Sequence, residues 1–529
     1  MTLQSDVIVI GAGAAGSTIA GRLASASPLR VLLLEAGRPA DNPWIGVPAG
    51  LGRVLVDGRY NWTTTVDLGD RVHPVPHGRT LGGGTAINGL LYMRGTPGNF
   101  ADWVQRGARG WDWDTVLDAY RRMESHTDGD SAIHGGSGQL DVNRLAYVHP
   151  SARAFISAAA RLGARVADDL NDAGDDDKVG LLQLNTRRGR RLSAYDAFVR
   201  PALRKGSLRV ETNAHVERIL FEGNRAVGVV YRHQGQPIEA RAREIVVSAG
   251  AILSPALLLR SGIGPAGELV GLGIDPVADL PGVGRNLQDH LYLWCNAQAQ
   301  RRASMNRDME GLPLLFQGLR YLLTRTGPIA TGGSQAAALL RSAPDLPAPD
   351  LQMSFRPFTV VPNAKGALVT GPGNGITITP TLLSPQARGS VKLAGPDPDA
   401  APKVSLPLGN RADEDRLLFG MRWALECFTT GELAALTPGP VTPPAQADDD
   451  ALRAFIRETV FPGSHHVGTC AMGEGPLAVV DPALRVRAVE GLRVCDASVM
   501  PSLPSGNTSA PSMMIGFRGA ELVHEALGG

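Results

Sequence analysis

A glycine-rich turn near the start of the chain has the residue types that bind the diphosphate of a dinucleotide. It spans residues 11–16 (GAGAAG), between an apolar run and a segment with helical spacing. Its first glycine permits a tight turn, the second lets the backbone approach a phosphate, and the third allows close packing of helix on strand. Glu35, at the end of the next apolar run, can accept hydrogen bonds from both ribose hydroxyls and would repel a 2′-phosphate. The pattern predicts a site for FAD or NAD and leaves that choice open.

Two later segments could also face a ligand. Three consecutive glycines at positions 82–84 let backbone N–H groups approach a bound molecule with no side chain in the way. Residues 250–264 follow an apolar run and have the pattern of a turn, a helix and a terminating glycine. Taken alone, the first is also typical of a flexible loop, and the second of a structural strand-to-helix corner.

Apolar runs indicate the elements that position these turns. Residues 7–10 and 31–34 are short, fully apolar and separated by a helical segment, which predicts a β-α-β unit. Similar runs occur near residues 208–210, 244–248 and 491–496, and a helix is predicted from about 512 to 526. Segments near 375–380 and 389–393 predict antiparallel strands of a second sheet. Because these two kinds of strand pattern alternate along the chain, two interleaved domains are expected.

Composition excludes several classes of protein. Of 529 residues, 43% are hydrophobic and 19% charged, and 52 basic against 51 acidic residues leave a net charge of +1. No nucleic-acid partner is therefore expected. The four cysteines are too few for a disulfide framework and form no CxxC pair, so we expect buried free thiols and no metal site.

The chain carries no pattern typical of export or membrane insertion. Its N-terminus lacks the basic stretch, apolar segment and cleavage site of a signal peptide. No apolar run reaches the ~18 residues that span a bilayer. We therefore expect a cytoplasmic protein without a transmembrane segment, and peripheral membrane contact stays open.

Together these segments resemble the glucose–methanol–choline (GMC) family of FAD-dependent oxidoreductases. Residues 78–95 and 250–264 are similar to the two family signatures, and with the N-terminal turn, the segment around His465 and residues 496–511 the resemblance covers nearly the whole chain. The resemblance, rather than the composition, selects FAD over NAD. It implies an α/β (α+β overall) fold, in which a Rossmann-like FAD-binding domain is interleaved with a substrate domain built on an antiparallel sheet with helices.

The resemblance also implies domain boundaries and cofactor contacts. The FAD-binding domain would comprise residues 1–150, 191–290 and 461–529, and the substrate domain residues 151–190 and 291–460. Some relatives link the flavin covalently through a histidine at the position of Ile87, so the FAD is expected to be non-covalent. The implied FAD contacts are Gly11, Gly13, Ala14, Ala15, Gly16, Glu35, Gly83, Thr85, Asn88, Gly89, Leu90, Tyr92, Val216, Asp496, Ala497 and Thr508.

The implied catalytic residues are His465 and Asn507. The segment that begins at His465 is similar to the family motif H-x-x-G-T-x-x-M, which aligns His465 rather than His466 with the catalytic histidine. Neutral imidazole, with an ordinary pKa of about 6.5, can take the hydroxyl proton of an alcohol. An amide can donate a hydrogen bond to the developing alkoxide. A hydride would pass from the substrate carbon to the flavin N5, leaving an aldehyde.

The remaining candidate residues receive structural interpretations. His466 is expected to pack in the structure, and His73, His77 and His290 to be structural or exposed. The arginine-rich segment 187–191 is expected to be a solvated loop. The last helix would direct its positive N-terminus, near Thr508, at the flavin N1–C2=O edge.

Alternatives within this fold are a hydroxynitrile lyase and a light-driven fatty-acid decarboxylase, and outside enzymology a flavin-carrying sensor. The His465 and Asn507 pair favours redox chemistry over all three. The alcohol could be aromatic, aliphatic or a sugar. Choline is disfavoured because Ser464 stands where choline-oxidising relatives place an aromatic residue. The electron acceptor, O2 or a quinone, and the oligomeric state stay open.

Overall fold

The structure is a computed structural model that describes residues 3–362 and 368–528. The predicted mixed α/β fold is confirmed. Its α-helices are Ala14–Ala26, Leu51–Leu55, Gly84–Ile87, Pro97–Gln105, Trp113–Met123, Pro150–Arg161, Arg200–Ala202, Gly250–Arg260, Ala266–Gly271, Gly311–Thr324, Arg411–Phe428, Gly431–Leu436, Asp449–Thr459 and Ser509–Ala526.

A five-stranded parallel sheet carries the glycine-rich turn. Four of its five strands are fully buried, as expected of apolar strands in a sheet covered on both faces, while the edge strand Leu208–Glu211 is buried only at Leu208. Residues more than 480 positions apart share this sheet, so it is assembled from segments that are distant along the chain. The strand order is Leu208–Glu211, Val31–Leu34, Val7–Ile10, Glu244–Val247 and Leu492–Val494.

Two helices and an antiparallel meander pack on the parallel sheet. The helices Ala14–Ala26 and Ser509–Ala526 contact each other closely, since a Cβ on Gly516 would lie 2.5 Å from the backbone oxygen of Ala15. The last helix begins at Ser509, three residues before the predicted start. The meander strands are Ala214–Glu222, Arg225–His233 and Gln236–Arg241, and the short strand Leu3–Gln4 pairs parallel with the last of them.

A large antiparallel sheet forms the second layer, and its two faces differ in character. The face that includes Cys295, Met353 and Ile378 packs on the helices Pro150–Arg161 and Arg411–Phe428 in a second apolar core. The opposite face carries polar and aromatic side chains, as strand alternation requires. In order, the strands are Val441–Thr442, Cys295–Gln298, Gly375–Leu382, Leu351–Arg356, Ala336–Leu340, Lys178–Leu181 and Arg165–Val166, with Leu291–Tyr292 and Phe461–Pro462 attached.

Smaller sheets complete the chain. The predicted strand near 375–380 lies in the large sheet, whereas the one near 389–393 belongs to a separate four-stranded sheet. All four cysteines are buried and unpaired, as predicted. The remaining strands are Asn61–Asp67, Val72–Gly78, Glu124–His126, Leu140–Arg144, Gln183–Leu184, Thr186–Arg187, Arg190–Arg191, Ile263–Gly264, Ala278–Asp279, Val360–Pro362, Leu368–Thr370, Ser390–Lys392 and Lys403–Ser405.

The helix Gly311–Thr324 is unusual because its apolar face points to solvent. Of its side chains only Tyr321 is buried, and six large apolar ones are 55–79% exposed. Across residues 3–362 and 368–528, no helix is both long enough and apolar enough to span a membrane. The exposed side chains are Leu312, Leu315, Phe316, Leu319, Leu322 and Leu323.

Candidate active site

The first glycine-rich turn and the three consecutive glycines pack against each other. The amide of Gly82 donates to the carbonyl of Ala12 at 2.8 Å. A Cβ on Gly83, which has φ 50°, would lie 2.7 Å from the Cα of Gly13, so only glycine allows this approach. Gly11 adopts φ 97° and would place a Cβ 2.5 Å from the carbonyl oxygen of Ser248. The backbone at this point is therefore fixed by glycine-to-glycine contact.

Several glycines instead face open space. A Cβ on Gly13, Gly84, Gly89 or Gly250 would meet no heavy atom within 4 Å. These four positions belong to the three segments that the sequence singled out for cofactor contact. A cradle of bare backbone between the parallel sheet and the antiparallel sheet is the space that an FAD would fill, so the residues present fit that cofactor.

Glu35 closes one end of the cradle. Its two carboxylate oxygens accept the amides of Ala12 at 2.9 Å and Gly37 at 2.8 Å. Burial raises the pKa of Glu35 to about 7. The carbonyl of Glu35 accepts the amide of Ala214 at 2.9 Å, so the strand that carries Val216 begins beside it. This places the implied ribose and adenine contacts at the same end of the site.

Side chains on the segment after the three glycines already form hydrogen bonds within the protein. The hydroxyl of Thr85 donates to Gly82 at 2.6 Å and accepts the amide of Ala194 at 2.9 Å. Oδ1 of Asn88 accepts from Arg191 at 2.7 Å. Any contact that these residues make with a flavin would therefore use the backbone.

Tyr92 is anchored by a buried charge network. Its hydroxyl donates to Glu124 at 2.6 Å, and Glu124 pairs with Arg94 and lies 2.8 Å from Nδ1 of His134. Burial alone would lower the pKa of His134, but hydrogen bonds to Asp169 and Glu124 raise it. The network holds the segment that passes along the cradle.

The same network brings three groups close enough to consider a metal ion. Ligand atoms of His126, His134 and Asp169 lie within 4.8 Å of one another. However, both ring nitrogens of His134 face carboxylates, and Nε2 of His126 lies 3.0 Å from the amide of Gln183. That pattern is typical of a protonated imidazole held between two acids.

Asp496 joins the parallel sheet to the helix Gly250–Arg260. Its Oδ2 accepts the amide of Gly250 at 2.8 Å and the hydroxyl of Ser254 at 2.5 Å, while Oδ1 accepts the amide of Ser498 at 2.8 Å. Ala497 follows directly. Thr508 is the buried N-cap residue of the last helix and makes no side-chain capping bond.

A bulge presents His465 to the cradle. Residues 288–292 pair antiparallel with residues 461–467, but two residues on the first strand, 289–290, oppose four on the second, 463–466. The extra residues turn outward at Ser464, which has φ 64°. Asp289 stabilises this turn by accepting the amides of Ser464 at 3.0 Å and His465 at 2.8 Å. Bulges of this kind commonly re-aim a side chain beside a reaction centre.

The imidazole of His465 is held at both nitrogens. Its Nε2 lies 3.1 Å from Nδ2 of Asn507, and its Nδ1 lies 3.0 Å from Nδ1 of His290. Burial lowers the pKa of His465 to about 4 and that of His290 well below its usual value, so both rings are neutral near pH 7. Because Asn507 offers an N–H to Nε2, we assign the proton of His465 to Nδ1, so that Nε2 is a hydrogen-bond acceptor.

His290, expected to be structural or exposed, is fully buried, and its ring contacts that of His465 directly, a contact that the sequence did not predict. His466 is also buried; its Nε2 lies 3.3 Å from Asp289 without the alignment of a hydrogen bond. The ring of His77 lies beside that of His466, at 5.4 Å between centroids and tilted by 48°.

Sequence reasoning missed Asp289 and His290. Both lie on the segment 288–292, and each contacts a residue of the bulge 175 positions further along the chain. The adjacent Asp–His pair between apolar residues was a usable signal of a buried polar site, but its partner could be found only from the fold.

Aromatic rings border the open side of His465. The ring of Tyr292 lies 6.0 Å from that of His465 and 5.7 Å from that of Phe461, which in turn lies 4.8 Å from Trp294. Burial raises the pKa of Tyr292 to about 12, so its phenol stays protonated. Tyr292 and Trp294 alternate along one strand, and their side chains share the polar face of the large antiparallel sheet.

Comparison with known families gives two matches. Family models described as GMC oxidoreductase match residues 5–292 and 385–516. Together they include the glycine-rich turns, the bulge and both His465 and Asn507.

Curated relatives match along nearly the whole chain. An oxygen-dependent choline dehydrogenase of Rhizobium etli is 35% identical over 532 residues, covering 98% of this chain and 95% of the relative. The mitochondrial choline dehydrogenase of Homo sapiens is 37% identical over 544 residues, covering 98% and 90%.

Solved structures share the fold. Pyridoxine 4-oxidase from Mesorbium loti superposes with a TM-score of 0.88 at 31% identity, covering 98% of this chain and 99% of that one. A formate oxidase superposes with a TM-score of 0.91 at 24% identity, covering 99% of each chain. At this identity the match supports the fold only.

Proposed function

This chain belongs to the GMC oxidoreductase family, and on that premise we propose that His465 and Asn507 are the catalytic pair of an FAD-dependent alcohol oxidation. The observation that carries the proposal is the 3.1 Å approach of Nε2 of His465 to Nδ2 of Asn507 at the open side of the glycine cradle. An acceptor and a donor side by side are what a hydroxyl group needs to bind and to lose its proton.

The pair handles the hydroxyl of the substrate. An alcohol oxygen between the two groups would donate its proton to Nε2 of His465 and accept the N–H of Asn507. As the O–H bond breaks, that N–H stabilises the alkoxide, which a preorganised donor does without reorganisation. Bound FAD supplies the remaining chemistry by accepting the hydride from the substrate carbon. The product is an aldehyde, and the proton stays on His465.

His290 and Asp289 position the base. Once His465 is protonated at Nε2, its Nδ1–H donates to Nδ1 of His290 at 3.0 Å, and this hydrogen bond becomes charge-assisted. Asp289 fixes the backbone of the bulge through two amides and so sets the direction of the ring. Neither residue reaches the open space where a substrate would bind, so both are positioning residues.

The cofactor contacts follow from the cradle. Gly13, Gly84 and Gly89 would offer bare backbone to the diphosphate and flavin, and Glu35 would hold the ribose. Ile87, buried beside these glycines, has no nucleophile for a covalent link, so the FAD is bound non-covalently.

The relatives favour oxidation over the alternative reactions. Those matched here carry the names of dehydrogenases and oxidases, and neither hydroxynitrile cleavage nor decarboxylation is favoured. We take O2 as the electron acceptor, because the Rhizobium relative is named as oxygen-dependent and the pyridoxine enzyme as an oxidase.

An anaerobic alcohol panel tests the function. Purified holoenzyme is mixed with aryl, aliphatic and sugar alcohols without oxygen, and the flavin absorbance is followed. Bleaching by at least one alcohol, followed by recovery on admission of O2 with formation of hydrogen peroxide, is the expected result. If the flavin absorbance recovers only when a quinone is added, the electron acceptor is a quinone and not O2. A flavin that no alcohol bleaches would contradict the proposed function.

A further inference from the structure

The polar face of the large antiparallel sheet carries two charged residues in the strands described, Arg356 and Lys178, and Lys178 is paired with Asp172. Arg356 ends the strand Leu351–Arg356 opposite Thr377, on the face that also bears Tyr292 and Trp294. Eight other side chains on this face belong to residues without a formal charge at neutral pH. They are Tyr292, Trp294, Asn296, Gln352, Ser354, Thr377, Thr379 and Thr381.

The positive charge of Arg356 has few partners within the protein. One of its nitrogens, Nη1, donates to the hydroxyl of Thr379. In the part of the chain that the structure describes, no carboxylate lies within 4 Å of its guanidinium. Arg356 is partly exposed, and the burial of the rest of its side chain lowers the pKa of the guanidinium. A guanidinium has five N–H donors, and moving it away from water without an anion is unfavourable.

Other arginines in the molecule are better satisfied. Arg493 is buried and lies 2.7 Å from Glu244. Arg191, which is also buried without a carboxylate, donates instead to four oxygens of Ile45, Thr85 and Asn88. Arg356 differs from both, because among the described residues its guanidinium makes one hydrogen bond, to Thr379.

Arg356 extends toward the reaction centre. In the sheet, Arg356 lies opposite Thr377. Its Nη1 nevertheless donates to Thr379, the next residue on this face in the direction of His465. Tyr292, in the next position, has its ring 6.0 Å from that of His465. Arg356 is close enough to Tyr292 to oppose the rise in the phenol pKa caused by burial. One tyrosine therefore separates the guanidinium from the catalytic pair.

We propose that Arg356 binds a carboxylate of the substrate, so that this enzyme oxidises aryl alcohols that carry an anionic group. The inference rests on the proposed function of the same site. A guanidinium matches a carboxylate through two parallel hydrogen bonds. Tyr292, Trp294 and Phe461 provide the aromatic wall between the two ends of such a substrate.

The same arrangement excludes choline. A quaternary ammonium would share the cavity with the uncompensated charge of Arg356 and be repelled by it. Ser464, directly before His465, has no ring to contact a cation. The relatives named as choline dehydrogenases are thus similar in sequence along nearly the whole chain, while the substrate of this chain carries the opposite charge.

Three alcohols of similar size test the subsite: 4-(hydroxymethyl)benzoate, benzyl alcohol and 4-(hydroxymethyl)phenyltrimethylammonium. Anaerobic flavin reduction of the holoenzyme gives a second-order rate constant for each. We expect the carboxylate to react fastest and the ammonium slowest. Arg356→Gln should lower the constant for the carboxylate by about 10- to 100-fold and leave benzyl alcohol nearly unchanged. Arg341→Gln is the matched control. The side chain of Arg341 pairs with Asp177 at 2.9 Å and is not part of the proposed subsite.

Binding without turnover gives an independent readout. Calorimetric titration with 4-methylbenzoate, which has no hydroxyl to oxidise, should show binding to the wild type, weaker binding to Arg356→Lys and none to Arg356→Gln. If Arg356→Gln does not fold, the Lys variant carries the comparison, since it retains the charge but loses the bidentate geometry. An unchanged ratio of carboxylate to neutral rates in the variant, or no binding of 4-methylbenzoate to the wild type, would overturn the subsite. Carboxylate binding with no alcohol able to bleach the flavin would instead contradict the proposed function.

Discussion

The cradle for the dinucleotide and the face above the catalytic pair are built from different parts of the chain. The cradle consists of backbone: glycines that pack on each other at Gly13 and Gly83, and amides held by Glu35. The face consists of side chains on alternate residues of an antiparallel sheet, among them Tyr292 and Arg356. Side chains on a strand can be exchanged without altering the strand, whereas a Cβ inside the glycine contact would collide with backbone.

The two regions also have different roles in the function proposed above. There, the cradle holds the cofactor and the side chains of the face select the substrate. His465 and Asn507 lie between the two, because the first projects from a bulge at the edge of the large sheet and the second precedes the last helix of the nucleotide-binding unit.

The largest effect is expected from a side chain placed in the cradle. A Cβ at position 13 would meet no heavy atom within 4 Å, so the Gly13→Val variant should fold, but its side chain would occupy the space of the diphosphate. We expect purified protein without flavin absorbance and without activity, and with an unchanged circular dichroism spectrum. Gly271→Val, at another glycine that faces open space, is the control. Normal FAD content in Gly13→Val would show that the cradle is misplaced.

The next effect should appear at the boundary between the regions. His465→Ala removes the proton acceptor and leaves the cradle intact, so FAD should stay bound. Alcohol-dependent flavin reduction should fall by about 10²–10⁴-fold. His233→Ala, in the meander away from the site, controls for loss of an imidazole. Reduction at the normal rate in His465→Ala would rule this residue out as the base.

Removal of the hydrogen-bond donor should have a smaller effect. Asn507→Ala leaves the base in place but takes the N–H from the developing alkoxide. Stopped-flow measurement should show the limiting rate of flavin reduction lower by about 10²–10³-fold. A change confined to the concentration of alcohol at half-saturation would mean that Asn507 only binds the substrate.

A positioning residue should contribute less again. His290→Leu removes the acceptor for Nδ1 of His465, and the limiting rate should fall about 10-fold, as for loss of one hydrogen bond to a charged group. His290→Asn, which keeps an acceptor, should restore most of the rate. Equal losses in both variants would indicate that His290 only fills space.

The smallest effect concerns pH. The base must be neutral to accept a proton, and burial lowers the pKa of His465 to about 4. Flavin reduction should therefore be nearly constant across neutral pH and fall only as the pH approaches 4. An acid limb centred at the ordinary histidine value of about 6.5 would show that the ring is more exposed during catalysis than the geometry indicates.

Local patterns were sufficient to predict the cradle. Strand, turn, helix and acid follow one another within 35 residues, and each is specified by its own residues. The start of the last helix was placed three residues late because Thr508 makes no capping bond that would mark it. The exact domain boundaries stay a prediction.

Long-range contacts explain what could not be predicted. His290 gains its role from a ring 175 residues away, across a bulge that no periodicity reveals. The position of Arg356 on a strand face can be read from alternation, but the lack of a carboxylate beside it depends on everything that folds around it. The proposed role of Arg356 thus depends on the absence of a nearby carboxylate as much as on the residues that are present.

The helix Gly311–Thr324 will affect how the protein behaves in the laboratory. Dyes such as ANS fluoresce on exposed apolar surface, and their signal is often taken as a sign of a molten globule. With six large apolar side chains on one solvent-facing helix, the fully native protein should already bind such a dye. Unfolding curves recorded with ANS will then start from a bright baseline, and replacing Leu315 and Phe316 with serine should darken it without changing the midpoint.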